Sequence, residues 1–165
     1  GGESAKDVVN TYKEEEIANI IYEFGDERYS RRIAKAIIET RRKKKIETVG
    51  DLVEILTRVL PRRYEGGRIH PATRTFQALR IHVNHELENI EKGLRSALEV
   101  LDGGGKMIVI SFHSLEDRMV KNFFSEEAKK GTLTILTKKP LCATREEIVI
   151  NNRARSAKLR AAQIL

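Results

Sequence analysis

One short run, Lys106-Met107-Ile108-Val109-Ile110-Ser111-Phe112, does most to set the fold class of this 165-residue chain. It is apolar and rich in β-branched residues, and it stands between Asp102-Gly103-Gly104-Gly105 and the polar His113-Ser114-Leu115-Glu116-Asp117. That pattern predicts a strand buried in a parallel sheet. Met119, Val120, Phe123 and Phe124 then give the following segment a helical face. Two more strands are predicted over 132–138 and 157–164, and the irregular stretch between them permits a late antiparallel pair. In 157–164, alternation puts Ala157, Leu159 and Ala161 on one face and Lys158 and Arg160 on the other, as a strand at a sheet margin requires. The order helix, strand, helix, strand, strand is the closing half of an open α/β sheet.

The residues before this run carry helical periodicity instead. Thr11 and Glu14 have capping-box spacing, and Ile17, Ile20, Ile21 and Phe24 follow at helical intervals up to Gly25. A second helix is predicted through Tyr29, Ile33, Ala36 and Ile37, and a third through Leu52, Ile55, Leu56 and Val59, capped by Thr48 with Asp51 and stopped by Pro61. The stretch 61–70 reads as a loop. After Pro71, Phe76, Leu79, Val83, Leu87, Ile90, Leu94, Leu98 and Leu101 recur at threes and fours, which predicts one long helix or two collinear ones.

The formal net charge of +7 is unevenly spread. Residues 3–27 hold eight acids against two bases, whereas residues 28–45 hold nine bases against one acid. A concentrated positive segment ending in Arg41-Arg42-Lys43-Lys44-Lys45 is what a phosphate-neutralising surface requires. No apolar run approaches the roughly 20 residues that span a bilayer, so no membrane partner is expected. With a polar, acidic N-terminus and a single cysteine, Cys142, the expected location is cytoplasmic and no disulfide framework is possible. His82 and His85 have a spacing metals can use, but no third ligand accompanies them, so no metal is expected.

An adenosyl or dinucleotide cofactor normally sits on a glycine-rich turn that follows a strand. Here Gly103, Gly104 and Gly105 precede one, which makes them an αβ connection. The natural positions for chemistry are the polar residues after the strand (Ser111, His113, Ser114, Glu116, Asp117). A polar stripe of Thr73, Gln77, Arg80 and Asn84, with Arg74 beside it, joins them.

Three blocks carry a resemblance: His70-Pro71-Ala72-Thr73-Arg74-Thr75-Phe76-Gln77-Ala78-Leu79-Arg80-Ile81, then Ile110-Ser111-Phe112-His113-Ser114-Leu115-Glu116-Asp117-Arg118, then Asn152-Arg153-Ala154-Arg155-Ser156-Ala157-Lys158-Leu159-Arg160. In this order they resemble the signature blocks of the bacterial RsmH (MraW) methyltransferases, and residues 4–38 are similar to that family's helical insert. The resemblance implies an α/β fold: the C-terminal half of a Rossmann-like class I methyltransferase sheet plus an all-α helical insert subdomain. Residues 1–70 would be the insert and 71–165 the sheet part. It further implies an S-adenosylmethionine-dependent enzyme that methylates the N4 amine of a cytidine in the decoding region of small-subunit ribosomal RNA.

The family's N-terminal half carries its first strands, glycine-rich cofactor loop and cofactor-holding acids, and none of these is in this sequence. The chain is therefore expected to be a truncated form, inactive alone and without cofactor of its own. Carried onto this sequence, the catalytic candidates are His113, Ser114 and Asn84. The RNA-contacting candidates are Arg41, Arg42, Lys43, Lys44, Lys45, Arg74, Arg80, Arg118, Arg153 and Arg155. The expected partner is small-subunit ribosomal RNA or the small ribosomal subunit, with a homodimer through the open sheet edge. The alternative is a non-catalytic basic RNA-binding module on a methyltransferase-like scaffold.

Overall fold

The computed structural model of the chain describes residues 2–67 and 69–165, so Gly1 and Arg68 lie outside the described residues. Two compact units result, residues 1–86 and 87–165. The division falls later than residue 70 because the helix formed by the His70–Ile81 block packs on the helical unit.

The first unit contains α1 (Ala5–Thr11), α2 (Glu14–Gly25), α3 (Ser30–Arg41), α4 (Val49–Val59) and α5 (Thr73–Val83). Ser4 caps α1, its Oγ accepting the Asp7 N–H. Thr48 caps α4 as its spacing with Asp51 predicts: Thr48 Oγ1 accepts from Asp51 N at 3.1 Å, and Asp51 Oδ2 accepts from Thr48 N at 2.9 Å. Thr11 does not cap α2. Its hydroxyl donates to the Asp7 carbonyl at the end of α1, and Glu16 accepts the Lys13 N–H at the start of α2 instead. Val8, Ile17, Ile21, Ile33, Ile37, Leu56 and Leu79 are fully buried between the helices. Each contributes about 1.5–3 kcal/mol relative to exposure.

Of the two arrangements predicted after Pro71, one long helix or two, the chain forms two. Asn84 ends α5, and His85 takes the left-handed conformation at φ 50°, before α6 (Glu86–Val100) begins. Such a backbone is costly for a non-glycine residue and cannot continue a helix.

In the second unit, β1 (Lys106–Ser111) leads into α7 (Ser114–Lys129), followed by β2 (Leu133–Ile135), β3 (Leu141–Cys142), α8 (Arg145–Ile150), a 3-10 turn (Asn152–Ser156) and β4 (Lys158–Ile164). The predicted late antiparallel pair is β2 with β4. The parallel expectation for β1 does not hold among the described residues: β1 pairs antiparallel with β4, Val109 opposite Arg160. Nor is β4 a margin strand. It is central, with β1 on one side and β2 and β3 on the other.

The face of Met107, Arg160, Ala162 and Ile164 is buried, with Phe123 and Phe124 of α7 and Leu94 of α6 in the same core. On the opposite face, Ile108 and Ile110 are 61% and 55% exposed. The glycine run closes the α6–β1 connection. Gly104 N–H donates to the Ile164 carbonyl and Gly105 N–H to that of Asp102, where a Cβ on Gly105 would lie 2.8 Å from the Asp102 oxygen.

Candidate functional site

At the carboxyl end of β1, the chain turns through Phe112 and His113 into α7 without a glycine. His113 is the N-cap, its Nδ1 accepting the Glu116 N–H at 3.3 Å. Glu116 reaches back, Oε2 accepting the N–H groups of Phe112 at 2.8 Å and His113 at 3.2 Å, while Oε1 lies 3.2 Å from His113 Nε2. Burial opposes ionisation of Glu116, but the His113 ring and the two N–H donors outweigh it and hold the carboxyl down to about 2. A carboxylate so stabilised is a poor proton acceptor, and its role is to fix the ring. The neutral tautomer compatible with this geometry carries its proton on Nε2. Ser114 is exposed in the first turn of α7.

One turn further in, Asp117 faces the sheet. Arg160 donates to it from Nε at 2.7 Å and Nη2 at 3.2 Å, and Lys158 Nζ lies 3.3 Å away. Arg160 holds the Asp117 carboxyl below its ordinary value against the opposing effect of burial. This ion pair ties the start of α7 to the central strand and is structural. Arg118 is exposed and rims a groove between α6 and α7, with Arg95 and Asn122. Arg153 and Arg155 are exposed on the 3-10 turn before β4.

In the helical unit, the predicted polar stripe of α5 divides. Arg74 Nη1 donates to the Asp26 carbonyl at 2.7 Å and Gln77 Nε2 to that of Phe24 at 3.3 Å, so both cap the C-terminal end of α2. That junction is tight: a Cβ on Gly25 would lie 2.8 Å from the Arg74 carbonyl oxygen. Arg80 makes a two-point ion pair with Glu86 at 2.8 and 2.9 Å, and Asn84 donates to Glu86 at 3.3 Å. His82 stacks beside Phe24 and meets Tyr12 edge-on.

Within the basic cluster, Arg41 Nη1 donates to the Val9 carbonyl at 2.9 Å and Lys44 lies 3.5 Å from Asp51. Arg42, Lys43 and Lys45 point into solvent. Sequence reasoning missed the fully buried Glu27, which bonds the Tyr64 hydroxyl. The lone aromatic in an otherwise polar loop was its available signal.

These features define an α/β protein with a basic all-α unit, whose strand-end turn is organised by a histidine and a carboxylate. The model of the MraW methylase family matches residues 1–165. The chain is 57% identical over 162 residues to the ribosomal RNA small subunit methyltransferase H of Deinococcus deserti, covering 98% of this chain and 52% of that protein. The enzymes of the same name from Persephonella marina and Carboxydothermus hydrogenoformans are 51% and 49% identical, with 55% and 57% of their lengths covered. The chain thus belongs to the MraW methylase family, and it spans about half the length of the curated relatives it matches. No helix among the described residues is long and apolar enough to cross a membrane.

Proposed function

We propose that this chain supplies the RNA-gripping helical part and the sheet-closing part of an S-adenosylmethionine-dependent methyltransferase that modifies the N4 amine of a cytidine in the decoding region of small-subunit ribosomal RNA. The observation that carries the reading is the open side of β1. Its one strand partner among the described residues is β4, its other edge is unpaired, and Ile108 and Ile110 stand out on an uncovered face. Relatives twice as long have the chain to complete such a sheet. An unpaired strand edge beside exposed apolar side chains is a place where a further strand and its covering helices would pair and pack.

The residues present do not fit a cofactor cradle. The glycines lie before β1 with two of their N–H groups already bonded, and the turn after β1 contains none. S-adenosylmethionine, where bound, supplies an electrophilic methyl group, and the residues that hold it belong outside this chain. What this chain contributes is positioning, since both ring nitrogens of His113 face Glu116 and the Glu116 carboxyl is held down to about 2. The exocyclic amine of cytosine is a weak nucleophile because its lone pair is delocalised, so it must be unstacked, aligned and relieved of a proton. His113, oriented by Glu116, and Ser114 present polar groups at the carboxyl end of β1, where α/β sheets bind ligands. Asn84 is the third polar group proposed for the catalytic set. Arg42, Lys43 and Lys45, with Arg118, Arg153 and Arg155, engage RNA phosphates, whereas Arg74 and Arg80 hold the local fold.

Mixing the chain with the separately purified N-terminal half of a relative, and following transfer of labelled methyl groups to small ribosomal subunits, tests the reading. Activity is expected only in the mixture. Methyl transfer by the chain alone, or none by a stable complex of the halves, overturns it.

A further inference from the structure

The turn 26–29 and the loop 61–67 are braced against each other in two places. Glu27 is fully buried, and its carboxylate accepts the Tyr29 N–H at 2.8 Å and the Tyr64 hydroxyl. Arg74 spans the same gap, with Nη1 on the Asp26 carbonyl at 2.7 Å and Nη2 3.3 Å from the Glu65 carboxylate. Both ends of that second brace are backbone outliers: Asp26 and Glu65 are left-handed, at φ 48° and 47°. Arg74 contacts both residues that hold this conformation, Asp26 through its carbonyl and Glu65 through its carboxylate.

A buried carboxylate is a poor way to stabilise a helical core, since apolar residues of similar volume serve as well or better. What it does provide is a defined position for the loop. Tyr64 is the one buried residue in Pro61-Arg62-Arg63-Tyr64-Glu65-Gly66-Gly67, and its ring centroid lies 6.4 Å from that of Tyr29. The Arg28 guanidinium sits 4.9 Å over the Tyr29 ring. Two basic segments far apart in sequence therefore meet through the tyrosine pair: Arg28 precedes Tyr29 in one, and Arg62 and Arg63 precede Tyr64 in the other. All three are exposed, and among the described residues none has an acidic partner. Unpaired arginines on a braced backbone are preorganised phosphate ligands, because the planar guanidinium donates two parallel hydrogen bonds.

We propose that Arg28, Arg62 and Arg63 form a phosphate-binding edge for a single RNA strand, with Glu27, Tyr64 and Arg74 as its positioning residues. The proposal rests on the reading of the chain as part of an RNA-modifying enzyme. A flexible single strand can follow an irregular loop edge, whereas neither a helix nor a β-ribbon is presented here for insertion into a groove.

The test titrates the full chain into a short fluorescein-labelled single-stranded RNA by anisotropy, between about 50 and 200 mM salt. Replacing Arg28, Arg62 and Arg63 together by Ser should lower affinity about tenfold or more and reduce the salt slope by about 2, at roughly 0.7 per lost contact. Tyr64→Phe keeps every charge and frees the loop, so affinity should fall several-fold with the far-UV helical signal retained. A purely structural Tyr64 would change stability and leave RNA affinity alone. RNA binding by the triple variant equal to the parent, with the same slope, overturns the proposal. If the triple variant binds normally while replacement of Arg42, Lys43 and Lys45 abolishes binding, this edge falls and the RNA reading survives. If the parent chain binds no RNA, both fall. Equally tight binding of poly-glutamate, lost in the triple variant, reassigns the edge to an acidic protein partner and overturns it for RNA.

Discussion

Arg160 and Asp117 form a two-point ion pair in the interior of the second unit, Nε to Oδ1 at 2.7 Å and Nη2 to Oδ2 at 3.2 Å, with both side chains nearly excluded from solvent. The pair joins the first turn of α7 to the strand at the centre of the sheet. Removing one partner leaves an uncompensated buried charge, which typically costs about 3–5 kcal/mol. Asp117→Ala is expected to lower the urea midpoint accordingly. The double replacement Asp117→Ala with Arg160→Met should lose clearly less, because no charge is then stranded. Measured unfolding free energies for the four corners of this cycle check the claim, and an Asp117→Ala variant within about 1 kcal/mol of the parent would refute it.

Gly25 and Gly93 make opposite predictions from the same substitution. Both lie in helices, where alanine is favoured over glycine by roughly 0.5–1 kcal/mol. At Gly93 a Cβ meets nothing within 4 Å, so Gly93→Ala should raise the melting temperature. At Gly25 the Cβ would lie 2.8 Å from the Arg74 carbonyl oxygen and 3.4 Å from the Ala78 Cβ, so α2 and α5 must separate. Gly25→Ala should destabilise by about 1–3 kcal/mol despite the better propensity. Calorimetry on both variants decides, and stabilisation by Gly25→Ala would show that the junction has slack.

Much of the helical unit is legible in the sequence because its signals are local. Thr48 and Asp51 announce the α4 cap, and the spacing of Ile33, Ala36 and Ile37 announces the buried face of α3. What fails does so where a distant residue decides. Thr11 does not cap α2 because it is the last residue of a short helix that Ser4 starts, and its hydroxyl turns back to the Asp7 carbonyl. A strand's hydrophobic content reports burial and not the direction of its neighbour, so β1 reads as parallel although β4 runs antiparallel to it. Arg74 and Gln77 look like ligands for a substrate because polarity alone does not reveal that helix-end carbonyls consume their hydrogen bonds. The His113 turn is the reverse case: the strand predicted before it does end there, and His113 caps the helix that follows.

Glu116 links the β1–α7 turn to acid. Its carboxyl is held down to about 2, against an ordinary 4.5. Folding therefore favours the ionised form, and its contribution is fully present above pH 4.5 and lost as the pH falls from there through about 2. Glu116→Gln should cost about 1–3 kcal/mol at pH 6. The gap between variant and parent should shrink to less than half at pH 3. Urea unfolding at the two pH values measures it. A gap that does not depend on pH would mean that size and packing matter here, not charge.

The basic cluster at the end of α3 should split by function. Arg41 caps α1 through the Val9 carbonyl, so Arg41→Ala is expected to lower stability by about 0.5–2 kcal/mol and to change RNA affinity little. Replacing Arg42, Lys43 and Lys45 by Ser should do the opposite, leaving the melting temperature unchanged while weakening RNA binding and flattening its salt dependence. Thermal melts and anisotropy on the same preparations separate the two. Loss of RNA affinity in Arg41→Ala at full stability would show that the Val9 contact yields to RNA.

The open edge of β1 carries a last expectation. With no strand beside it among the described residues, its N–H and C=O groups and the exposed Ile108 and Ile110 offer a template for another chain. Two copies related by a two-fold axis through Val109 would pair antiparallel, placing Ile108 of one opposite Ile110 of the other and continuing the uncovered apolar face across both. The chain alone should then show a concentration-dependent dimer by size-exclusion chromatography with light scattering. Ile108→Lys puts like charge close to itself across the axis and should shift the equilibrium to monomer without lowering the stability of the unit. Addition of the N-terminal half of a relative should have the same effect by occupying the edge. A dimer that persists in Ile108→Lys would place the contact elsewhere, and a parent chain that stays monomeric at high concentration would show that this edge protects itself.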